Sequence, residues 1–162
     1  TIISAIYAAT KQITITTPYF VPDEPLLMAL TIAAKRGVKV TLILPAKVDS
    51  FMVRYASRAY YPMLLDAGVK IAMFEGGLLH AKTMTIDEDY ALFGTVNMDM
   101  RSFFLNLEIS LAIYDAPTTG RIRDLQQGYL ADCRFVCADE WQRRSKWWLL
   151  AENTVRLVSP LL

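Results

Sequence analysis

The chain has 162 residues, 54% of them hydrophobic and 20% charged, and its formal net charge at pH 7 is +1. This length and apolar content predict a single domain, 1–162, with a well-buried core, and they exclude a disordered chain. The near-neutral charge argues against nucleic acid as a partner, because a nucleic-acid-binding domain is expected to carry a basic stripe. The sequence has no run of about eighteen apolar residues, so no segment of it is predicted to span a bilayer.

The first 74 residues alternate between helical and strand patterns. Asp23 is the predicted N-cap of the second helix, and Asp49 or Ser50 that of the third. Pro62 predicts a break in the third helix near Tyr61, because proline lacks the amide hydrogen that the helix needs. The alternation indicates an α/β fold with parallel crossovers. Helices are predicted over 1–10, 24–36 and 50–68, and strands over 12–17, 38–44 and 69–74.

Tyr19 and Phe20 follow the first predicted strand, which ends at Pro18 because the proline ring removes a donor from the strand ladder. The two rings are therefore expected at the carboxyl end of a strand, where open α/β sheets place their ligands. Two interpretations stay open: the rings wall a ligand pocket, or they belong to the core. The first makes Tyr19 a candidate substrate-binding residue.

The stretch from Gly76 to Glu108 holds the densest set of candidate functional residues. His80, the only histidine, and Lys82 lie two residues apart in an alternating run over 80–86. If that run is a strand, both side chains share one face and can touch the same anion. The ammonium can neutralise a phosphoryl oxygen while the imidazole attacks or transfers a proton. The pair therefore suits a phosphoryl group.

The residues that follow extend this candidate site. Asp87 opens a turn, and the apolar run 90–93 is predicted to return as the second strand of a hairpin. Thr95 and Asn97 then place a hydroxyl and an amide as uncharged donors to phosphate oxygens.

Glu108 lies in a third apolar run, 107–114, where its carboxylate is placed to accept the other imidazole N–H and to orient the ring. Each of these residues has an ordinary explanation when taken alone. A lone histidine is commonly packed in a core, a lysine is solvated, and an aspartate forms a turn. The combination at this spacing favours a functional site.

From Ala116 onward the sequence predicts a helical tail, 116–162, packed on the domain. The first tail helix is expected to pack on the sheet through the apolar residues Ile122, Leu125, Tyr129 and Leu130.

Two further features of the tail bear on function. Trp141, Trp147 and Trp148 accompany basic residues, and this mixture fits either a membrane interface or a cover over the core. Cys133 and Cys137 lie four residues apart on a predicted helix or its end. Two thiols are too few for a metal site, so we expect no metal here and interpret them as ordinary thiols in a reducing compartment.

His80, Lys82 and Asp87 in the spacing H-x-K-x4-D, followed by G-T-x-N at 94–97, resemble the H-K-D motif of the phospholipase D superfamily. Four longer phrases narrow the likeness: TTPYFVPDE, GGLLHAKT, GTVNMDMRS and NLEISLAIYD. They are similar to the second half of the bacterial cardiolipin synthases, and the similarity runs over essentially the whole chain. Thr95 stands where serine is usual in the family, which keeps the hydroxyl.

The resemblance implies a phospholipase D-like half-domain, that is, an α/β fold with a mixed β-sheet sandwiched by helices. It also implies an enzyme that forms cardiolipin and glycerol from two phosphatidylglycerol molecules through a phosphohistidine intermediate. This chain would supply one of two H-K-D motifs that face each other across a pseudo-twofold axis. No metal is expected, because histidine and lysine already supply the charge. No nucleotide cofactor is expected either, because the reaction exchanges one phosphodiester for another at nearly equal energy.

The resemblance also assigns roles residue by residue. His80 is one of the two reacting histidines, and its place in the second half favours the acid and base over the nucleophile. Lys82 and Asn97 hold phosphate oxygens, and Glu108 orients His80. Asp87 belongs to the motif, but its position at a turn favours a structural role over contact with substrate.

Further expectations concern partners and location. The resemblance implies an upstream portion with membrane segments and a first phospholipase-like half, at the cytoplasmic face of the bacterial inner membrane. Phosphatidylglycerol and an anionic membrane surface would be the partners. Two alternatives stay open: a single-motif phosphodiesterase or nuclease complete only as a homodimer, and a non-catalytic half that binds lipid or another partner.

Overall fold

The computed structural model describes residues 2–48 and 50–144. Within these ranges a seven-stranded mixed sheet lies between helices, and a second sheet has two short strands. The predicted α/β fold is confirmed. The strands are β1 (Gln12–Thr16), β2 (Phe20–Val21), β3 (Lys39–Pro45), β4 (Lys70–Phe74), β5 (Thr83–Ile86), β6 (Tyr90–Gly94), β7 (Met98–Asp99), β8 (Ser110–Ile113) and β9 (Cys133–Phe135). The helices are α1 (Ile2–Ala8), α2 (Glu24–Lys35), α3 (Phe51–Arg58), α4 (Tyr61–Asp66), α5 (Met100–Phe104), α6 (Ala116–Ala131) and α7 (Ala138–Gln142).

The large sheet has the strand order β8-β6-β5-β1-β3-β4-β9. Strands β1, β3 and β4 run parallel, whereas β5, β6 and β8 form an antiparallel meander that starts beside β1. This is the predicted order of parallel crossovers followed by a hairpin. The small sheet pairs β2 with β7 in parallel, a contact that the sequence patterns did not indicate.

The helix boundaries in the first half follow from local signals. The Asp23 carboxylate accepts the Leu26 amide at 3.0 Å and caps α2, as predicted. Ser50 caps α3 in the same way, while Asp49, the alternative cap, lies outside the described residues. Helical structure stops at Arg58 and restarts at Tyr61, so the break predicted from Pro62 is confirmed.

The core occupies both faces of the large sheet. Successive side chains of a strand point to opposite faces, so Ile13 and Ile15 of β1 face α2 while Thr14 and Thr16 face away from it. The larger apolar cluster lies on the isoleucine side. A smaller cluster lies on the threonine side and contains Ile43, Ala72, Phe74 and Leu79, against which Tyr129 and Leu130 of α6 pack.

Helix α6 does pack on the sheet, but part of the predicted contact face is wrong. Leu125 is 50% exposed, whereas its neighbour Gln126 is fully buried. The Gln126 amide donates to the Thr83 hydroxyl at 3.1 Å and to the Thr14 carbonyl at 3.2 Å, and its oxygen accepts from Thr85 at 2.7 Å. A buried polar group is tolerated when it is fully hydrogen-bonded, and this one binds the helix to three positions of the sheet.

The prediction of an entirely helical tail needs correction. Residues 133–135 form β9, which pairs antiparallel with β4 and extends the sheet. The open edge of β4 offers unpaired backbone groups, and pairing with them outweighs the helical pattern at this point. Cys133 therefore lies on a strand and Cys137 is the N-cap of α7, and burial raises the pKa of the Cys133 thiol to about 11.

Trp141 lies on α7 and packs its ring 5.0 Å from that of Tyr61. Trp147, Trp148 and the rest of the tail lie outside the described residues, so their contact with a membrane stays a prediction. In the part of the chain that the structure describes, no helix combines the length and apolar character needed to cross a bilayer.

Candidate active site

The candidate site lies at the carboxyl end of β1. Strand β5 runs antiparallel to β1 and begins at Thr83, whose partner Thr16 is the last residue of β1. His80 and Lys82, which come just before β5, are therefore at the same end of the sheet as Tyr19, which follows β1. The prediction that the strand begins at His80 is wrong, because β1 ends before Pro18 and residues 80–82 have no partner on that side.

His80 and Lys82 contact each other directly, although neither lies on the strand whose alternation was expected to place them on one face. The Lys82 ammonium lies 3.1 Å from Nδ1 of the exposed His80 ring and donates to the His80 carbonyl, also at 3.1 Å. The same ammonium lies 3.4 Å from Nε2 of the ring. The arrangement thus presents an imidazole and a cation side by side to solvent.

Tyr19 borders this pair. Its ring lies 6.5 Å from the His80 ring, centroid to centroid, in an edge-on arrangement. Phe20, by contrast, is 1% exposed and belongs to the core. Tyr19 therefore borders the candidate site, whereas Phe20 belongs to the core, so each of the two interpretations fits one residue of the pair.

Partial burial lowers the pKa of the Lys82 ammonium below its usual value, against the opposing attraction of the Glu108 and Asp99 carboxylates. Desolvation makes the charged form of the lysine less stable. An anionic substrate bound next to the ammonium would offset this loss of stability. This favours Lys82 as a contact for a negatively charged group.

The Glu108 carboxylate is hydrogen-bonded to the loop that follows β6. It accepts from the Thr95 hydroxyl and, at 3.2 Å, from the Asn106 amide. The bond from Thr95 is the main reason that the pKa of Glu108 lies below its usual value. Hydrogen bonding between Glu108 and His80 is not among the contacts of the described residues, so the orienting role predicted for Glu108 stays a prediction.

Asn97 is held close to this loop by its neighbours. Its amide donates to the Ser102 hydroxyl at 3.2 Å, and the Met98 backbone amide donates to the Thr17 hydroxyl at 3.3 Å. Pairing of β2 with β7 thus brings the TTPYF and GTVN phrases together. The sequence analysis missed this contact, because two-residue strands carry no periodic pattern.

Asp99 anchors the same segment. Its carboxylate accepts the Ser102 backbone amide at 2.6 Å and caps α5. Burial nevertheless raises the pKa of Asp99, and the Ser102 bonds only partly oppose this effect. Asp99 was not predicted as a site residue, although its position two residues after Asn97 in the GTVNMD phrase was the available signal.

Asp87 lies at the opposite end of β5. Its carboxylate accepts the backbone amides of Thr10, Lys11 and Gln12 at 2.8 to 2.9 Å and the Thr10 hydroxyl at 2.8 Å. Its φ angle of 51° is typical of a turn. Desolvation would raise the pKa of Asp87, but these hydrogen bonds outweigh it and lower the pKa. The contacts agree with the predicted structural role.

The site opens onto an apolar surface. Phe93 of β6 and Leu111 of β8 are paired across the sheet, and with Leu107 and Ile109 they form what we call the apolar strip. Each of the four is at least half exposed. Within the described ranges no group of three or more histidine, cysteine or acidic residues is arranged to hold a metal ion.

Residues 2–127 match the family model described as cardiolipin synthase, PLD-like domain. Proteins named cardiolipin synthase A from Yersinia pseudotuberculosis serotype O:1b (strain IP 31758) and Yersinia pestis bv. Antiqua (strain Angola) are each 47% identical over 161 residues. These alignments cover 99% of this chain and 33% of the relative, so the chain spans about a third of the length of the curated relatives it matches.

Solved structures share the fold. The phospholipase D family member Nuc from Salmonella typhimurium superposes with a TM-score of 0.73 at 20% identity, over 83% of this chain and 88% of that one. Phosphatidylserine synthase from Haemophilus influenzae Rd KW20 gives a TM-score of 0.78 at 16% identity, over 99% of this chain and 44% of that one. At these identities the likeness establishes the architecture and leaves the chemistry to the site itself.

Proposed function

Because this chain belongs to the cardiolipin synthase, PLD-like domain family, we propose that it supplies one of two H-K-D motifs to a phosphatidyl transfer between two phosphatidylglycerol molecules. The products are cardiolipin and glycerol. The observation that carries the proposal is the contact of 3.1 Å between the Lys82 ammonium and the exposed His80 ring, at the carboxyl end of β1. Open α/β sheets bind ligands at such an edge.

In this mechanism one histidine nitrogen bonds to phosphorus as the P–O bond to the leaving glycerol breaks. The second histidine gives its proton to that leaving oxygen. It then takes a proton from a glycerol hydroxyl of the second phosphatidylglycerol, whose oxygen displaces the first histidine from phosphorus. One phosphodiester replaces another, so the step needs no nucleotide.

We assign His80 the acid and base role, as a residue of the second half. Lys82 neutralises the phosphoryl oxygens, and the partial burial of its ammonium favours such a partner. Thr95 and Asn97 donate to the remaining oxygens once substrate replaces their present contacts. Tyr19 forms one wall, and Glu108 is assigned the role of orienting His80.

This chemistry needs a second H-K-D motif. The exposed apolar strip beside the site supports the proposal that another protein surface, carrying that motif, packs there. Exposed apolar side chains are stabilised when another protein covers them. We propose that the covering surface is the first half of the longer enzyme, with a second copy of this chain as the alternative. Action at the cytoplasmic face of the bacterial inner membrane is part of the same proposal.

The test is hydrolysis of bis-p-nitrophenyl phosphate by the chain over a wide range of protein concentrations, with His80→Ala as the blank. We expect His80→Ala to lower any rate by at least about 10³-fold, because it removes a group that transfers protons in the reaction. Circular dichroism should show an unchanged fold, since the His80 side chain is exposed.

Concentration dependence separates the alternatives. A His80-dependent rate that rises more steeply than linearly indicates paired copies. A rate that appears only when a separately produced first half is added, together with formation of cardiolipin from phosphatidylglycerol micelles, supports the two-half transferase. Turnover that persists in His80→Ala would remove His80 from the mechanism. If no rate appears under either condition, the chain is a non-catalytic binding half.

A further inference from the structure

The segment that carries the reactive pair is not held by pairing with β1. His80 and Lys82 come before β5 begins at Thr83, and residues 80–82 have no partner on β1. On the other side the Gly94 amide donates to the Lys82 carbonyl at 3.3 Å. Ordering such a segment costs conformational entropy, so further contacts are needed to hold the pair in place.

The contacts of this segment alternate along the chain. Leu79 and Thr83 are only 2% and 3% exposed, whereas His80 between them is exposed and contacts Lys82. Leu79 belongs to the smaller apolar cluster, and Ala81 packs against the same cluster. Such alternation is typical of an extended segment whose odd-numbered residues face the protein. The residues that flank the reactive pair are therefore the ones that the domain holds.

Helix α6 contacts both of these flanking positions. Tyr129 and Leu130 pack against the cluster that contains Leu79. About one turn earlier on the helix, the Gln126 amide donates to the Thr83 hydroxyl at 3.1 Å. Residues three and four apart lie on the same face of a helix. A single face of α6 thus supports the segment before and after the reactive pair.

The hydrogen bonds of Gln126 fix the orientation of its side chain. Its amide nitrogen donates to the Thr14 carbonyl at 3.2 Å as well as to Thr83, and its oxygen accepts from the Thr85 hydroxyl at 2.7 Å. The side chain is fully buried, so any rotation would leave a polar group without a partner. The position of the Thr83 hydroxyl is therefore closely defined.

We propose that Gln126 is a positioning residue of the candidate active site. Through the Thr83 hydroxyl it holds the residue that follows Lys82, so it sets where Lys82 and His80 lie relative to each other. Gln126 is fully buried, so it acts through Thr83 and does not touch the substrate. Its effect on turnover rests on the proposed function, whereas its effect on the His80 ring in the free chain does not.

Two valine substitutions on β5 form a matched pair for the test. Thr83→Val and Thr85→Val each replace a buried hydroxyl with a methyl group of similar size, and each removes one hydrogen bond to Gln126. Only Thr83 adjoins Lys82. A purely structural role of Gln126 predicts the same result from both variants, whereas positioning predicts an effect on the reactive pair from Thr83→Val alone. Urea unfolding followed by circular dichroism checks that both lose similar stability.

The first readout needs no turnover. His80 is the only histidine, so its ring gives the only imidazole signals in a carbon–proton correlation spectrum of the chain. A displacement of the Lys82 ammonium, 3.1 Å from the ring, changes these chemical shifts. At one fixed pH we expect Thr83→Val to move the ring signals and Thr85→Val to leave them in place. Thr119→Val is the control: it removes a fully buried α6 hydroxyl that has no partner among the described residues, and it should leave the signals in place.

Gln126→Met removes the donor instead of the threonine, at a position distant from His80 in the sequence, and its side chain has a similar length. We expect the ring signals to move in the same direction as in Thr83→Val. The double variant should move them no further, because both substitutions break the same hydrogen bond. If Gln126→Met does not fold, the valine pair still decides the question.

The second readout is steady-state kinetics in the form of the enzyme that shows His80-dependent turnover. Thr83→Val should lower kcat by about 10-fold with little change in KM, because the reactive pair acts in the transition state. Thr85→Val should keep kcat within about 2-fold of the wild-type value.

Several results would overturn the inference. They are ring signals that move equally in Thr83→Val and Thr85→Val, ring signals that move in neither, and a kcat that falls equally in both. Ring signals that move while kcat of an active enzyme stays unchanged would also overturn it. Failure of the proposed function looks different: Thr83→Val moves the ring signals, yet no His80-dependent turnover appears at any protein concentration.

Discussion

At one end of β5 the Asp87 carboxylate accepts four hydrogen bonds from residues 10–12, whereas at the other end the exposed His80 ring contacts the Lys82 ammonium. Both ends belong to one sequence motif. The Asp87 end is fully paired and binds the β5–β6 turn to the start of β1. The His80 end keeps polar groups available to solvent. The comparison separates the motif into an anchor and a reactive pair.

The anchor has a consequence for the reactive pair. Asp87 fixes the register of β5 against β1, since Ile13 pairs with Ile86 and Thr16 with Thr83. A slip of one residue would move every side chain of β5 to the opposite face. His80 meets Tyr19 only because that register places the start of β5 beside the end of β1. The aspartate thus acts on the site through strand alignment.

The strongest test of this division is Asp87→Asn. Asparagine replaces one carboxylate oxygen, an acceptor, with an NH₂ group, which is a donor. That group would face the donors of residues 10–12, so several of the four hydrogen bonds are lost. We expect the free energy of unfolding at pH 7 to fall by about 2 kcal/mol, with kcat at 20 °C reduced by less than about 10-fold. Urea unfolding followed by circular dichroism measures the first quantity. Asp89→Asn, at an exposed position of the same turn, is the matched control and should change little.

The pH dependence of that loss gives a second check. Because the folded-state pKa of Asp87 lies below its ordinary value of 3.8, its contribution to stability is present above about that pH. It is lost as the pH falls through the folded-state pKa. The difference in stability between wild type and Asp87→Asn should therefore shrink below about pH 4. Equal stability of the two chains at pH 7 would contradict the anchoring role.

Glu108→Gln tests the His80 end of β5. At this end we expect a substitution to lower catalytic activity without lowering stability. Glutamine still accepts from Thr95 but lacks the negative charge that attracts Lys82. We expect turnover to fall by about 10-fold, which is less than the loss in His80→Ala, because Glu108 acts through its neighbours. Steady-state kinetics with Glu88→Gln, a glutamate at the Asp87 end, provide the control. Wild-type activity in Glu108→Gln would remove its orienting role.

Some features of the molecule can be predicted from residues that are close together in the sequence. The caps at Asp23 and Ser50 and the hairpin around Asp87 depend on neighbours within a few residues. Such features follow from capping chemistry, turn chemistry and side-chain alternation. They are the features that the sequence analysis predicted.

Features that depend on distant partners were missed. Gln126 is buried because Thr14, Thr83 and Thr85 offer it partners, and no periodic pattern marks a polar residue for burial. Strand β9 forms because the edge of β4 is open, and β2 pairs with β7 across 78 residues of sequence.

The smallest predicted effect concerns Lys82, whose pKa burial lowers against the attraction of Glu108 and Asp99. The ammonium must keep its proton to neutralise phosphate, so kcat should fall as the pH rises through a value below 10.5. Lys82→Arg should remove this alkaline limb, because a guanidinium stays charged, while costing only a few-fold in rate at pH 8. In Glu108→Gln the limb should move to lower pH, since the carboxylate that raises the Lys82 pKa is gone. A pH–rate profile from 7 to 10.5 for the three chains measures both changes. A limb that stays in place in Glu108→Gln would show that the carboxylate does not act on Lys82, and it would leave the Thr95 loop as the only route from Glu108 to the reactive pair.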